Sequence, residues 1–141
     1  MIEMTVVIVV VGLILSMTTG RIHSFLTEQQ SVRAATAIQN DLEAAFAIAG
    51  RNRRPVRITW DSANVQLDVT DRSGTVFFRK RSLADASYAL SAGAVRFSRS
   101  PLEVYPDGLA DDTLTIVVTG ANGAKTVRMS RAGMVRSEGV V

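Results

Sequence analysis

Met1-Ile2-Glu3-Met4-Thr5-Val6-Val7-Ile8-Val9-Val10-Val11-Gly12-Leu13-Ile14-Leu15-Ser16-Met17 opens the chain, and its one charge is the carboxylate of Glu3 at the edge of a hydrocarbon run. An unpaired carboxylate buried in hydrocarbon costs several kcal/mol. Glu3 is therefore protonated, held at an interface, or matched with a positive group on a neighbouring molecule. Its position beside the apolar run favours an assembly residue over a glutamate that rests at a membrane surface.

A secretory signal would carry basic residues before its apolar stretch and a small-residue cleavage site after it, and neither is present. A membrane anchor needs about 20 apolar residues, a length this run reaches only when Thr18, Thr19 and Gly20 are counted. Residues 1–20 thus read as a marginal span or a filament-core helix segment. The run passes without a linker into helical spacing, because Ile22, Phe25, Leu26, Gln29, Val32, Ala35, Ile38, Leu42, Ala45, Phe46 and Ala49 recur at three- and four-residue steps. Arg21, Glu28, Arg33, Asp41 and Glu43 fall on the opposite face. The spacing predicts an amphipathic continuation over 21–50 and a single helix of nearly fifty residues, roughly 70 Å long. Its second half packs on a sheet, and its first half must find lipid or other helices. Gly12 and Gly20 permit bending or close approach.

Residues 51–141 form the second unit. Gly50 is expected to end the helix, with Arg51-Asn52-Arg53-Arg54-Pro55 placing cations at the negative end of its dipole. Alternation then predicts strands at 56–60, 65–69 and 75–79, the last two joined by the turn Asp71-Arg72-Ser73-Gly74. Further strands are expected at 95–97, 102–105, 113–118, 125–129 and 134–136, with Asn122-Gly123 as a strong hairpin signal. A long helix followed by a run of strands gives an α+β layout, the helix docked on an antiparallel sheet.

Little in the chain builds a catalytic centre. It has no cysteine, which excludes a disulfide framework and thiolate metal sites, and its only histidine, His23, lies on the helix. Asp107, Asp111 and Asp112 share a loop, but their spacing does not fit an EF-hand and reads as a solvated acidic turn. No phosphate loop or dinucleotide glycine motif is present, so neither cofactor, metal nor catalytic residues are expected. The net charge is +3 with a pI near 9.9, and all the basic residues follow Gly20. Arg51, Arg53, Arg54 and Arg57, then Arg79, Lys80 and Arg81, then Arg128, Arg131 and Arg136 are candidates for a stripe contacting phosphates. The competing expectation is that these arginines pair with Asp61, Asp68 and Asp71 or face neighbouring subunits.

The N-terminal stretch, Ile2-Glu3 followed by Val6 to Leu15, resembles the first helix of type IV pilins and type II secretion pseudopilins. The resemblance implies that Glu3 is the glutamate at the fifth mature position. Met1 then takes the third, with the basic leader, the cleavage glycine and the first two mature residues preceding it. It further implies an N-methylated terminus, a bacterial inner-membrane location with one pass and a periplasmic C-terminal domain, and neutralisation by Glu3 of a neighbouring subunit's amine within a filament. Asn52-Arg53-Arg54-Pro55-Val56, Tyr105-Pro106-Asp107-Gly108 and the stretch from Val127 to Val135 resemble the GspH/FimT group of minor pseudopilins and pilins. The expected function is a structural subunit, not an enzyme, whose partners are other pilin or pseudopilin subunits, membrane lipid before assembly and a secreted substrate. The alternative is DNA capture during uptake. DNA-binding members of the FimT group carry Gly-Arg-x-Arg, and Gly133-Met134-Val135-Arg136 keeps only the glycine and the last arginine. Sparse aromatics also disfavour stacking on single-stranded bases.

Overall fold

The computed structural model describes residues 2–88, 90–120 and 123–139, with side chains described for 4–16 and from 29 onward within those ranges. One helix, α1 (Ile2–Asn52), runs from the apolar segment into the domain. Eight strands follow: β1 (Val56–Asp61), β2 (Gln66–Asp71), β3 (Phe77–Ser82), β4 (Val95–Phe97), β5 (Leu102–Val104), β6 (Leu114–Gly120), β7 (Gly123–Met129) and β8 (Val135–Gly139).

The strands form two antiparallel sheets in place of one continuous meander, in the orders β3-β2-β1-β5 and β4-β6-β7-β8. The chain leaves the first sheet after β3, starts the second with β4, and returns through β5 to pair with β1. Arg57 then stands directly opposite Glu103. An isolated bridge between Val104 and Ala110 closes the loop that leads from β5 to β6.

Both sheets turn their apolar sides to the helix. Ala34, Ala35, Ile38, Leu42, Ala45 and Ala49 are buried against Ile58, Leu67, Val69, Leu102, Ile116, Val127 and Met129. Alanines at four of these six helical positions let the helix axis approach the strands, while alternation along β1, β2, β6 and β7 supplies the branched side chains beneath. Gln29 and Val32, expected on the docked face, are exposed. Ile22, Phe25 and Leu26 lie outside the described side chains.

The helix does not stop at Gly50. It continues to Asn52, and Arg53 (φ 51°) takes the left-handed turn that closes it, a conformation that glycine would adopt without steric cost. A second left-handed residue, Gly133 (φ 77°), leaves room for an aromatic ring: a Cβ there would sit 3.0 Å from Cε1 of Phe46. Residues 121 and 122, including the Asn of the expected hairpin turn, lie outside the described residues. The register pairs Gly120 with Gly123 across them.

Candidate functional site

The exposed arm of α1 is the first candidate. From Met4 to Leu15 every large side chain faces solvent, with Ile8 70% and Leu15 62% exposed. Gly12 keeps that surface open, since a Cβ there would meet nothing within 4 Å. Among the described residues no helix is long and apolar enough to cross a membrane. Described side chains of this run cover 4–16, roughly 20 Å at 1.5 Å per residue. Met17 to Gly20, needed for about 20 apolar residues, fall outside them. The side chain of Glu3 and that of His23 also lie outside the described residues.

Asp41 is the feature that the helical spacing misplaces. Assigned to the polar face, it is 1% exposed, because β3 presents two arginines to the helix there. Leu67 pairs with Arg81 and Val69 with Arg79, so both guanidinium groups come from the inward side of the strand. Nε of Arg79 lies 2.7 Å from Oδ1 of Asp41, and Arg81 grips the carboxylate with both Nε and Nη2, the latter at 2.9 Å. Nη1 of Arg81 donates to the Tyr88 hydroxyl at 3.0 Å. The hydrogen bond to Asp41 raises the pKa of Arg81 further above its ordinary value. Two cations around one buried anion satisfy its desolvation and lock an edge strand to the helix.

The three basic clusters do not merge into a stripe. Arg79 and Arg81 turn inward while Lys80 lies over the ring of Phe77 at 5.9 Å, and Arg57 pairs with Glu103 at 2.9 Å. Among the described residues no arginine pairs with Asp61, Asp68 or Asp71. Those carboxylates accept hydrogen bonds from Asn64 and Ala63, from Gln66, and from Ser73, Thr75 and Val76 respectively. Bonds from Asn64 lower the pKa of Asp61, and bonds from Ser73, Val76 and Thr75 bring that of Asp71 down to about 2.

Arg128 and Arg136 do come together. They are direct partners across β7 and β8, both exposed on the face of the second sheet that points away from the helix. The adjacent row, traced through Val117 and Thr126, carries Arg96 and Glu138. The face holds three arginines against one glutamate, which reaches Arg128 at 3.9 Å. Arg131 stands apart in the turn between the strands, its Nε donating to the Ala110 carbonyl at 3.4 Å.

The acidic loop divides its carboxylates. Asp111 accepts from the Glu103 N–H at 3.2 Å, and Asp107 accepts from that of Leu109 at 3.1 Å. Asp112 accepts from Thr113 N–H and pairs with Arg99, and these contacts lower its pKa. Among the described residues no group of three metal-ligating side chains converges.

No protein-family profile and no curated protein sequence matches this chain. Solved structures do. The type IV minor pilin FimU of Pseudomonas aeruginosa, in one crystal form, is 19% identical with a TM-score of 0.60, over 75% of this chain and 90% of that one. In a second crystal form it is 18% identical with a TM-score of 0.61, over 81% and 92%. The minor pseudopilin EpsH from the type 2 secretion system of Vibrio cholerae is 11% identical with a TM-score of 0.58, over 78% and 97%. The chain has the pilin-like fold, a long N-terminal helix packed on antiparallel sheets.

Proposed function

We propose that the chain is a minor pilin or pseudopilin of the GspH/FimT type, a structural subunit without catalytic activity. It waits in the bacterial inner membrane on residues 1–20, with its sheet domain in the periplasm, and then enters a filament through the same segment. The observation that carries this reading is the apolar arm. Residues 4–16 expose nearly continuous hydrocarbon on a helix whose later turns are fixed in the core, so burial requires lipid or other helices. At about 25 cal/mol per Å² of apolar surface, that burial is the dominant drive for assembly. Glu3 supplies register by meeting a neighbour's amine. Glu3→Ala is expected to leave thermal stability unchanged and to lower incorporation into filaments, scored by shearing and immunoblotting. Incorporation at the wild-type level would overturn the role of Glu3.

One observation favours a second reading, DNA capture. Like charges directly opposite on an exposed sheet are unfavourable, yet Arg128 faces Arg136. A bound polyanion would relieve that repulsion. This reading expects salt-sensitive DNA binding by the full chain in detergent, weakened in an Arg128→Ala, Arg136→Ala variant. An absence of binding at low salt would remove it.

A further inference from the structure

A groove of about 600 Å³ opens at the end of the first sheet, between the exit of α1 and the β2–β3 turn. Three local features build it. Pro55 fixes the backbone where the chain leaves α1 for β1. Asp71 draws Thr75 and Val76 into the turn, so β3 starts only at Phe77 and Val76 stays outside the ladder, 52% exposed on the groove wall. The ladder pairs Val69 with Arg79 and Thr70 with Phe77, which leaves Phe78 as the extra residue of a β-bulge. A bulge re-aims the side chain it adds, and Phe78 lines the same groove.

Charge narrows the guest. Arg54 lines the groove, and its guanidinium has no ion-pair or hydrogen-bond partner among the described residues. Arg72, with its side chain 65% exposed, reaches only Glu103 of β5, at 3.5 Å, and Glu103 is already held by Arg57 at 2.9 Å. Asp71 is the anion between these cations, and its oxygens are filled by the Ser73 hydroxyl and the Thr75 and Val76 N–H groups. Two guanidinium groups against one carboxylate leave a single positive charge, set beside the hydrocarbon of Pro55, Val76 and Phe78. A guest carboxylate matches that charge and offers two coplanar oxygens to a guanidinium fork. A nucleic-acid backbone would instead bring successive charges across exposed hydrocarbon. The apolar surface continues past the groove onto exposed Phe77, which suits a chain of side chains better than a small acid.

We propose that the groove binds an extended peptide segment of an unlike protein, with an aspartate or glutamate between Arg54 and Arg72 and an adjacent apolar side chain on Val76 and Phe78. An arginine-held carboxylate beside a buried apolar anchor is the usual core of such a contact. A second copy of this chain does not supply the guest from its acidic loop, because Asp107, Asp111 and Asp112 already accept hydrogen bonds from their own chain. The inference goes beyond the filament reading and stands without it.

The probes are short fluorescein-labelled peptides with one aspartate between two leucines in a glycine–serine sequence, the asparagine analogue, and an analogue with alanines for the leucines. Titrated by anisotropy against the full chain in detergent, the aspartate peptide is expected to bind about tenfold more tightly than either analogue. Arg54→Gln and Arg72→Gln are each expected to erase the preference for aspartate over asparagine. Val76→Ser is expected to erase the preference for leucine over alanine, with near-ultraviolet circular dichroism unchanged in all three variants. No aspartate preference in the unaltered chain, or one that survives both arginine substitutions, would overturn the proposal. A short DNA strand or anionic vesicles, bound more tightly than the peptide and released by the same substitutions, would overturn it in favour of a phosphate ligand. Self-association in sedimentation that these variants abolish would overturn it in favour of a second copy.

Discussion

Asp41 shows how a single residue decides where an edge strand sits. Its carboxylate is buried and both of its partners come from β3, so Asp41→Ala leaves two guanidinium groups facing the helix without a counter-ion. The expected loss is about 3 kcal/mol, at the low end for a broken buried pair because Arg79 and Arg81 still reach water. Urea denaturation of the full chain in detergent measures it, and a loss under about 1 kcal/mol would show the cluster to be dispensable. A helical wheel places Asp41 with the polar residues, since nothing nearby in sequence says that a charge lies inward. The legible signal is on the partner: Arg79 and Arg81 are two residues apart, hence on one face of a strand, and that face turns out to be the inner one. Gly133 is a second such position. Gly133→Ala meets both a left-handed backbone and the ring of Phe46, and is expected to cost about 1–2 kcal/mol, read as a lowered midpoint in the same experiment.

At the scale of elements, the β2–β3 turn is held by one carboxylate. Asp71 collects the N–H groups of Thr75 and Val76 and the hydroxyl of Ser73, which keeps its folded pKa near about 2 against an ordinary 3.8. A lowered folded pKa means a contribution fully present above the unfolded value and lost as pH falls toward the folded one. The turn is therefore expected to loosen as pH drops from about 4 to about 2. Amide exchange at Thr75 and Val76 checks this, and Asp71→Asn is expected to flatten the dependence. The strands themselves were legible, since period-two alternation located all eight to within a few residues. Alternation puts β3 early, at 75–79, because Val76 and Phe77 look like a strand start, whereas Asp71 draws both Thr75 and Val76 into the turn and the strand runs over Phe77–Ser82. Division into two sheets was not legible. It depends on β5 returning to β1 across forty residues, and such pairing leaves no local pattern. The end of α1 is hidden for a related reason: Gly50 looks like a cap, but the helix runs on to Asn52 and Arg53 takes the left-handed turn.

At the scale of the molecule, a 51-residue helix has its later turns packed in the domain and the side chains of residues 4–16 open to solvent. A charge in the exposed arm, such as Val10→Arg, is expected to leave the sheets intact by near-ultraviolet circular dichroism and to prevent filament incorporation. The sequence made the arm plain, and it also made Glu3 a candidate. It did not make plain the groove at the end of the first sheet, because Arg54, Arg72 and Val76 converge only after folding. A continuous helix also carries angular information from one end of the chain to the other. Each residue turns it by about 100° and advances it 1.5 Å. One residue inserted between Gly20 and Gln29 would therefore swing the whole domain about a third of a turn around the arm while altering neither end. Seven would bring it back to within about 20° of its original heading. The spacing between arm and domain works as a compass setting, and a chain lengthened by one residue would seat its helix correctly while facing its neighbours with the wrong side.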